Sequence, residues 1–259
     1  MSKKINGFNK ATITGYVRNF DIKSFDSGFR LANIAIQNKL DGNMTYVSMF
    51  DRQGLTYNGQ ATTLEGLKKI FMADEKTPRD ILVTCTGKVS ETLSADGSKT
   101  YLNTTVFDLK PYDDESKQQS TLAVTGMVES IKFGEDDNGV PNAKIKLGIM
   151  KRNKDKDVIG VEYVSVVAYG DDATKLEDEG VDKGYQLSLG CDMVNKGADK
   201  DKYGYTVGAP RKEIAVGKIG FVNGDYDIDE DDMEVYKKAK RLKKGESIKN
   251  TIDDDELDF

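Results

Sequence analysis

One opening is written twice in this chain. Ala11-Thr12-Ile13-Thr14-Gly15-Tyr16-Val17 and Leu122-Ala123-Val124-Thr125-Gly126-Met127-Val128 are short alternating runs, rich in β-formers, with Thr-Gly at the same place. The two glycines are 111 positions apart. A second pair follows in the same order. Thr45-Tyr46-Val47-Ser48 matches Glu162-Tyr163-Val164-Ser165 at a spacing of 117, so the intervening loops differ in length. A chain of 259 residues that repeats at this distance is constrained to two copies of one small β unit.

The strand inventory of each half agrees. Phe29 to Asn38 and Asn142 to Met150 read as second strands. Ile81 to Val89 and Tyr185 to Val194 read as late strands. Thr100 to Lys110 closes the first half, and either Tyr203 to Val207 or Glu213 to Val222 closes the second. The first half carries one helix: Thr62 and Glu65 have capping-box spacing, and Leu64, Leu67 and Phe71 share a face. The equivalent stretch, Asp171 to Asp182, is acidic and predicts one or two turns. Five strands with a helix between the third and fourth is the plan of an OB-fold, a small Greek-key barrel. The expected architecture is all-β. OB-fold domain 1 is residues 1–112, a polar linker is 113–120, and OB-fold domain 2 is 121–224. Residues 225–259 form a charged helix and a disordered acidic tail.

Composition narrows the chemistry. The chain has no histidine, hence neither the commonest general base nor the commonest metal ligand. Cys85 and Cys191 fit no metal spacing and read as reduced core residues. No nucleophile motif or phosphate-binding glycine loop is present, so the expectation is a non-enzyme without metal or cofactor. No apolar run is long enough to span a bilayer, and Met1 to Gly7 shows no apolar signal region, which predicts a cytoplasmic protein away from membranes. Residues 225–259 hold 13 acids and 7 bases, whereas residues 1–224 hold 31 of each. The body is therefore neutral and the tail carries the whole net charge of −6, a distribution compatible with binding a polyanion.

Several segments resemble bacterial-type single-stranded DNA-binding proteins. Asn9 to Val17 looks like their first strand, Gly28-Phe29-Arg30-Leu31-Ala32-Asn33-Ile34-Ala35-Ile36 like their second, and Glu162 to Gly170 like their third. The last residues, Asp253, Asp254, Asp255, Glu256, Leu257, Asp258 and Phe259, resemble the family's acidic partner-docking tip. The absence of Trp and the two OB units depart from the commonest form and look like a phage or two-domain bacterial member. The resemblance implies coating of single-stranded DNA in replication, recombination or repair, in a bacterial or phage-infected cytosol. It also implies docking of replication and recombination proteins on Asp254, Asp255, Glu256, Leu257, Asp258 and Phe259. Four OB-folds per assembly, the family's habit, would make this chain a homodimer; a phage-type monomer is the alternative. A pure protein-interaction module and an RNA-binding OB protein are the competing readings.

Binding single strands without sequence choice needs aromatic faces for stacking and a basic groove for the backbone. Alternation places Tyr163, Ser165, Val167 and Tyr169 on one face, with Val164, Val166 and Ala168 facing the core. The resemblance assigns both tyrosines to base stacking, roughly 20 Å apart at ~3.3 Å per residue; the alternative is that one or both are core or interface aromatics. Tyr46 and Phe50 share a face in the first half and serve either as stackers or as core or interface aromatics. Lys144 and Lys146 alternate with Ala143, Ile145, Leu147 and Ile149, so they read either as phosphate contacts continued by Lys151 and Arg152 or as solvated strand lysines. Arg30, with Lys39 and Arg18, is the weaker equivalent in the first half. Tyr203 and Tyr205 belong to a basic-aromatic finger between late strands. Asp229 to Lys244 reads as one helix with acids first and bases last, matched to its dipole. It is either a surface helix, a DNA-binding arm or an internal partner for the tip.

Overall fold

The repeated Thr-Gly marks a place where a strand changes neighbours. In the computed structural model, strand β1 (Phe8–Ser24) and strand β6 (Gln119–Glu135) are each 17 residues long. They pair with each other antiparallel, Phe8 opposite Thr125 and Thr14 opposite Gln119, with Ala11 opposite Leu122. These last two are the first residues of the repeated run, so the two copies meet about a local two-fold axis. Beyond Gly15, β1 leaves β6 and pairs with β2 (Arg30–Gln37). Beyond Gly126, β6 leaves β1 and pairs with β7 (Pro141–Arg152). A Cβ on Gly15 would overlap the Gln37 carbonyl, and one on Gly126 would press on the Gly148 carbonyl. Glycine is required twice because the incoming strand's backbone takes the space of a side chain. A bulge then bends each strand, between Val17 and Asn19 in β1 and between Val128 and Ser130 in β6.

The structure describes residues 4–5, 7–52, 54–93, 100–196, 199–200, 206–207, 211–224, 228–243 and 245–248. The first barrel is completed by β3 (Met44–Phe50), β4 (Leu82–Leu93) and β5 (Thr100–Pro111), the second by β8 (Val158–Tyr169), β9 (Gln186–Lys196) and β10 (Arg211–Asn223). Each closes in the order first, second, third, fifth, fourth, first, with a short parallel contact between the third and fifth strands. This is an all-β protein of two OB barrels, joined through β1 and β6 into one ten-stranded sheet. The closing contact is short, Ser48 and Met49 with Thr105 and Val106 in the first barrel and Val167 with Ala215 in the second. Inward positions fill one contiguous core through both barrels, among them Ile13, Ile34 and Phe71 from the first and Ile145, Val166 and Leu189 from the second. Cys85 and Cys191 are free thiols in that core, pushed up to about 12 by burial.

Helix α1 (Leu64–Phe71) seals barrel 1 with Leu64, Leu67 and Phe71, and α2 (Asp171–Asp178) seals barrel 2 with Ala173 and Leu176. The cap of α1 differs from the sequence expectation by one residue. Thr63, not Thr62, accepts from the Gly66 backbone N–H, so Glu65 lies too early to complete a capping box. The last strand of the second half is β10, while Thr206–Val207 forms only a two-residue ribbon with Asp199–Lys200. The charged helix is also shorter than expected: α3 spans Glu230–Ala239 and ends in a turn at Lys240 and Arg241. Asp229 caps it by accepting from Asp231 and Asp232 N–H. It is more than a solvated helix, because Tyr236 and Ala239 pack into a second core with Ile5, Met127, Met150, Val158 and Ile228.

Candidate nucleic-acid interface

Strand β8 presents the face that its sequence demands. Val164, Val166 and Ala168 are fully buried, Ser165 is exposed, and Tyr163, Val167 and Tyr169 are half-buried on the outer side. Register brings Lys144 opposite Val167 and Lys146 opposite Ser165 on β7. The Lys146 ammonium lies 4.9 Å from the Tyr163 ring centroid and 3.9 Å from Glu91 of barrel 1. The Tyr169 hydroxyl donates to Glu213 at 3.0 Å, which fixes the ring's edge and leaves its orientation set by β10. The outer face of β8 together with the β4–β5 hairpin encloses a cleft with about 410 Å³ of accessible space, lined by Glu91, Leu102, Lys144, Lys146, Tyr169 and Lys212, among others.

Helix α3 divides this face. Tyr236 lies over Gly148, where a Cβ would overlap its hydroxyl, and that hydroxyl donates to Glu129 at 2.6 Å. Lys240 adds an ion pair to Glu129 at 2.5 Å. Burial alone would raise the Glu129 carboxyl, but the bonds from Lys240 and Tyr236 outweigh it and hold it below its usual range. Tyr163 lies beside this group, and burial followed by the Glu129 charge raises its hydroxyl. Tyr163 and Tyr169 are therefore not equivalent: one borders α3, the other borders the open cleft. Lys151 and Arg152 lie beyond the helix at the far end of β7. They do not continue the Lys144–Lys146 stripe directly, because Gly148 and Met150 between them are covered. Arg152 donates to the Lys156 carbonyl within its own loop.

Barrel 1 offers a second aromatic face. Tyr46 and Phe50 are exposed on β3, while Val47 and Met49 point inward. Phe50 belongs to a row: its ring is 5.3 Å from Phe29, and Phe29 is 5.8 Å from Phe25. Phe25 and Phe29 bracket a tight turn in which Gly28 takes a φ of 76°. Neither was singled out as a site residue from sequence, although an Phe-x-x-x-Phe pair flanking a glycine turn was a readable signal. Arg30 is engaged on this face by Asp51 at 3.3 Å and by Glu65. Arg18 pairs with Asp80 at 2.7 Å, and Lys39 lies 3.7 Å from the Tyr16 ring centroid. A cleft of about 340 Å³ runs past Asn33, Tyr46, Ser48, Leu102, Thr104 and Lys212. Lys212 and Thr104 line it although neither stands out in the sequence; Lys212 is one residue before the expected strand Glu213 to Val222.

Tyr203, Tyr205 and the acidic tip Asp254 to Phe259 lie outside the described residues. The last described residue before the tip, Ile248, exchanges two backbone hydrogen bonds with Val158 at the start of β8, and Asp232 of α3 accepts from the Ile5 N–H. Among the described residues, no group of three His, Cys, Asp or Glu side chains is placed to hold a metal ion, and no helix is long and apolar enough to cross a membrane.

The arrangement is that of an OB-type platform: aromatic rings and lysines on the outer faces of second and third strands, two barrels side by side. No family profile matches the sequence, and no curated protein is similar to it in sequence. Solved structures are similar in fold. The wild-type single-stranded DNA-binding protein from Thermus aquaticus matches with a TM-score of 0.57 at 12% identity, over 83% of this chain and 92% of that one. A deletion mutant of that protein matches with a TM-score of 0.55 at 12% identity, over 83% and 94%. The chain thus shares the fold of these proteins.

Proposed function

We propose that this chain binds single-stranded DNA without sequence preference and acts by coating it rather than by catalysis. The observation that carries the reading is the pair of clefts floored by Tyr46 on one barrel and by Tyr169 with Lys144 and Lys146 on the other. Rings stack on any base, and lysines neutralise any backbone, so the set recognises single strands rather than a sequence. A shared fold with a DNA-binding protein of Thermus aquaticus supports the same assignment. Recruitment of replication, recombination or repair proteins through Asp254, Asp255, Glu256, Leu257, Asp258 and Phe259 is the second half of the proposal, resting on the acidic, aromatic-ended sequence alone.

Titration with fluorescent dT oligomers and with a duplex of equal length tests it. The expected result is tight oligomer binding with a negative log–log salt slope, and much weaker duplex binding. Equal affinity for both would discard the proposal. Deleting residues 253–259 should abolish capture of replication proteins while oligomer binding persists; loss of neither would confine the tip to solubility.

A further inference from the structure

The two clefts share a wall. Leu102 near the start of barrel 1's β5 and Lys212 at the start of barrel 2's β10 line both of them. Between them lies a small recess that Thr104 also lines. Asn195 of β9 fixes this junction by donating its backbone N–H to Asn43 at 3.2 Å and its side-chain amide to the Met44 carbonyl. Lys212 then reaches across from barrel 2. Its ammonium donates to the Tyr46 carbonyl at 3.0 Å and lies 5.4 Å from the Tyr46 ring centroid. Its ammonium is partly buried, and burial lowers its proton affinity. One of its three N–H donors is used. Thr104 is 3% exposed, and its hydroxyl is a buried side-chain group without a hydrogen-bond partner. The orphaned hydroxyl is costly to the free protein unless something arrives to accept from it, and Lys212 lines the same recess and the same cleft.

Resting on the proposed DNA-binding reading, we propose that Lys212 and Thr104 form a phosphate-binding saddle that carries one strand from the face of barrel 1 to the face of barrel 2. A phosphodiester oxygen that enters the recess accepts from the Lys212 ammonium and from the Thr104 hydroxyl in its wall, and Leu102 supplies an apolar contact for the adjoining sugar. The two faces are then one continuous site, and these two side chains position the strand where it crosses. Neither needs to stack a base.

A ladder of dT oligomers, measured with the full chain, Lys212→Met, Lys212→Arg and Thr104→Val, reads this directly. Because Lys212 lines both clefts, oligomers short enough for one face should lose a few-fold at most on the variants, less than longer ones do. Those long enough to engage both faces should lose about tenfold on Lys212→Met, with the salt slope reduced by about one, and Lys212→Arg should restore most of it. Thr104→Val should melt at or above the parent temperature, because an unsatisfied hydroxyl is gone, yet bind long oligomers several-fold more weakly. Losses equal at every length, or absent at every length, would overturn the saddle while leaving single-strand binding intact. A parent chain that binds no dT oligomer at any length would instead overturn the function on which the saddle rests.

Discussion

Tyr163 and Tyr169 carry the same ring in the same strand register, and their surroundings separate them. Tyr169 borders the open cleft and is oriented by Glu213, whereas Tyr163 is flanked by Lys146, Glu129 and Tyr236. Tyr169→Ala should therefore cost about 1–3 kcal/mol of dT binding, the worth of one stacked base, and Tyr163→Ala distinctly less. Fluorescence titration at fixed salt measures both, and the reverse order would move the strand path toward α3. Alternation along β8 was legible because burial enforces a period of two. The difference between the two tyrosines was not, because it comes from a helix about 70 positions later in the chain. The repeated Thr-Gly was legible as a repeat but not as a cause. Only the pairing shows that Gly15 and Gly126 admit another strand's carbonyl. Gly15→Ala should cost about 1–3 kcal/mol of stability by forcing that strand away, as urea midpoints would record.

At the scale of elements, α3 is the part whose role the sequence concealed. Its acids-first, bases-last order is read correctly as dipole matching, and that order says nothing about which face packs. Tyr236, Ala239 and their barrel partners decide this, and the glycine at 148 makes room for the Tyr236 hydroxyl. The attachment has a titratable anchor. Glu129 faces Tyr236 and Lys240 of α3, with Lys183 and Tyr163 nearby from the barrel side, and its carboxyl is held below its usual range. A group depressed in the folded state contributes stability above its ordinary value and loses it as pH falls through the lowered one. The chain should therefore hold α3 at neutral pH and loosen it in acid, once the pH falls below the usual carboxylate range. Glu129→Gln should cost about 1–3 kcal/mol at pH 7, and that difference should vanish in acid. Paired thermal melts across pH 3–7 check this; a difference independent of pH would remove Glu129 as the anchor. Tyr236→Ala should also make Tyr163→Ala costly for dT binding, since it uncovers the face that α3 occupies.

For the whole molecule, the joining of β1 to β6 bears on how independent the two halves are. The 1–112 and 121–224 division proposed from the repeat follows the chain, but the pairing of Phe8 to Thr14 with Gln119 to Thr125 crosses it, and so does the core. Further contacts cross between the barrels: Lys88 with Glu162 at 2.9 Å and Thr45 with Ser120 at 2.8 Å. The connection itself is slight, one short 3₁₀ turn at Glu115–Lys117. Covalent continuity should then matter less than the shared sheet. A protease site placed in that turn should be cut without releasing either half, and the cut protein should still unfold in one transition by both near- and far-ultraviolet circular dichroism. Gly126→Val presses on the Gly148 carbonyl at the strand exchange and should lower the midpoint for both barrels together. Two separate transitions, or halves that part on a sizing column after cleavage, would show that each barrel folds alone. The fixed spacing between the Tyr46 and Tyr169 faces would then be lost, and with it the basis for a single strand path through Lys212.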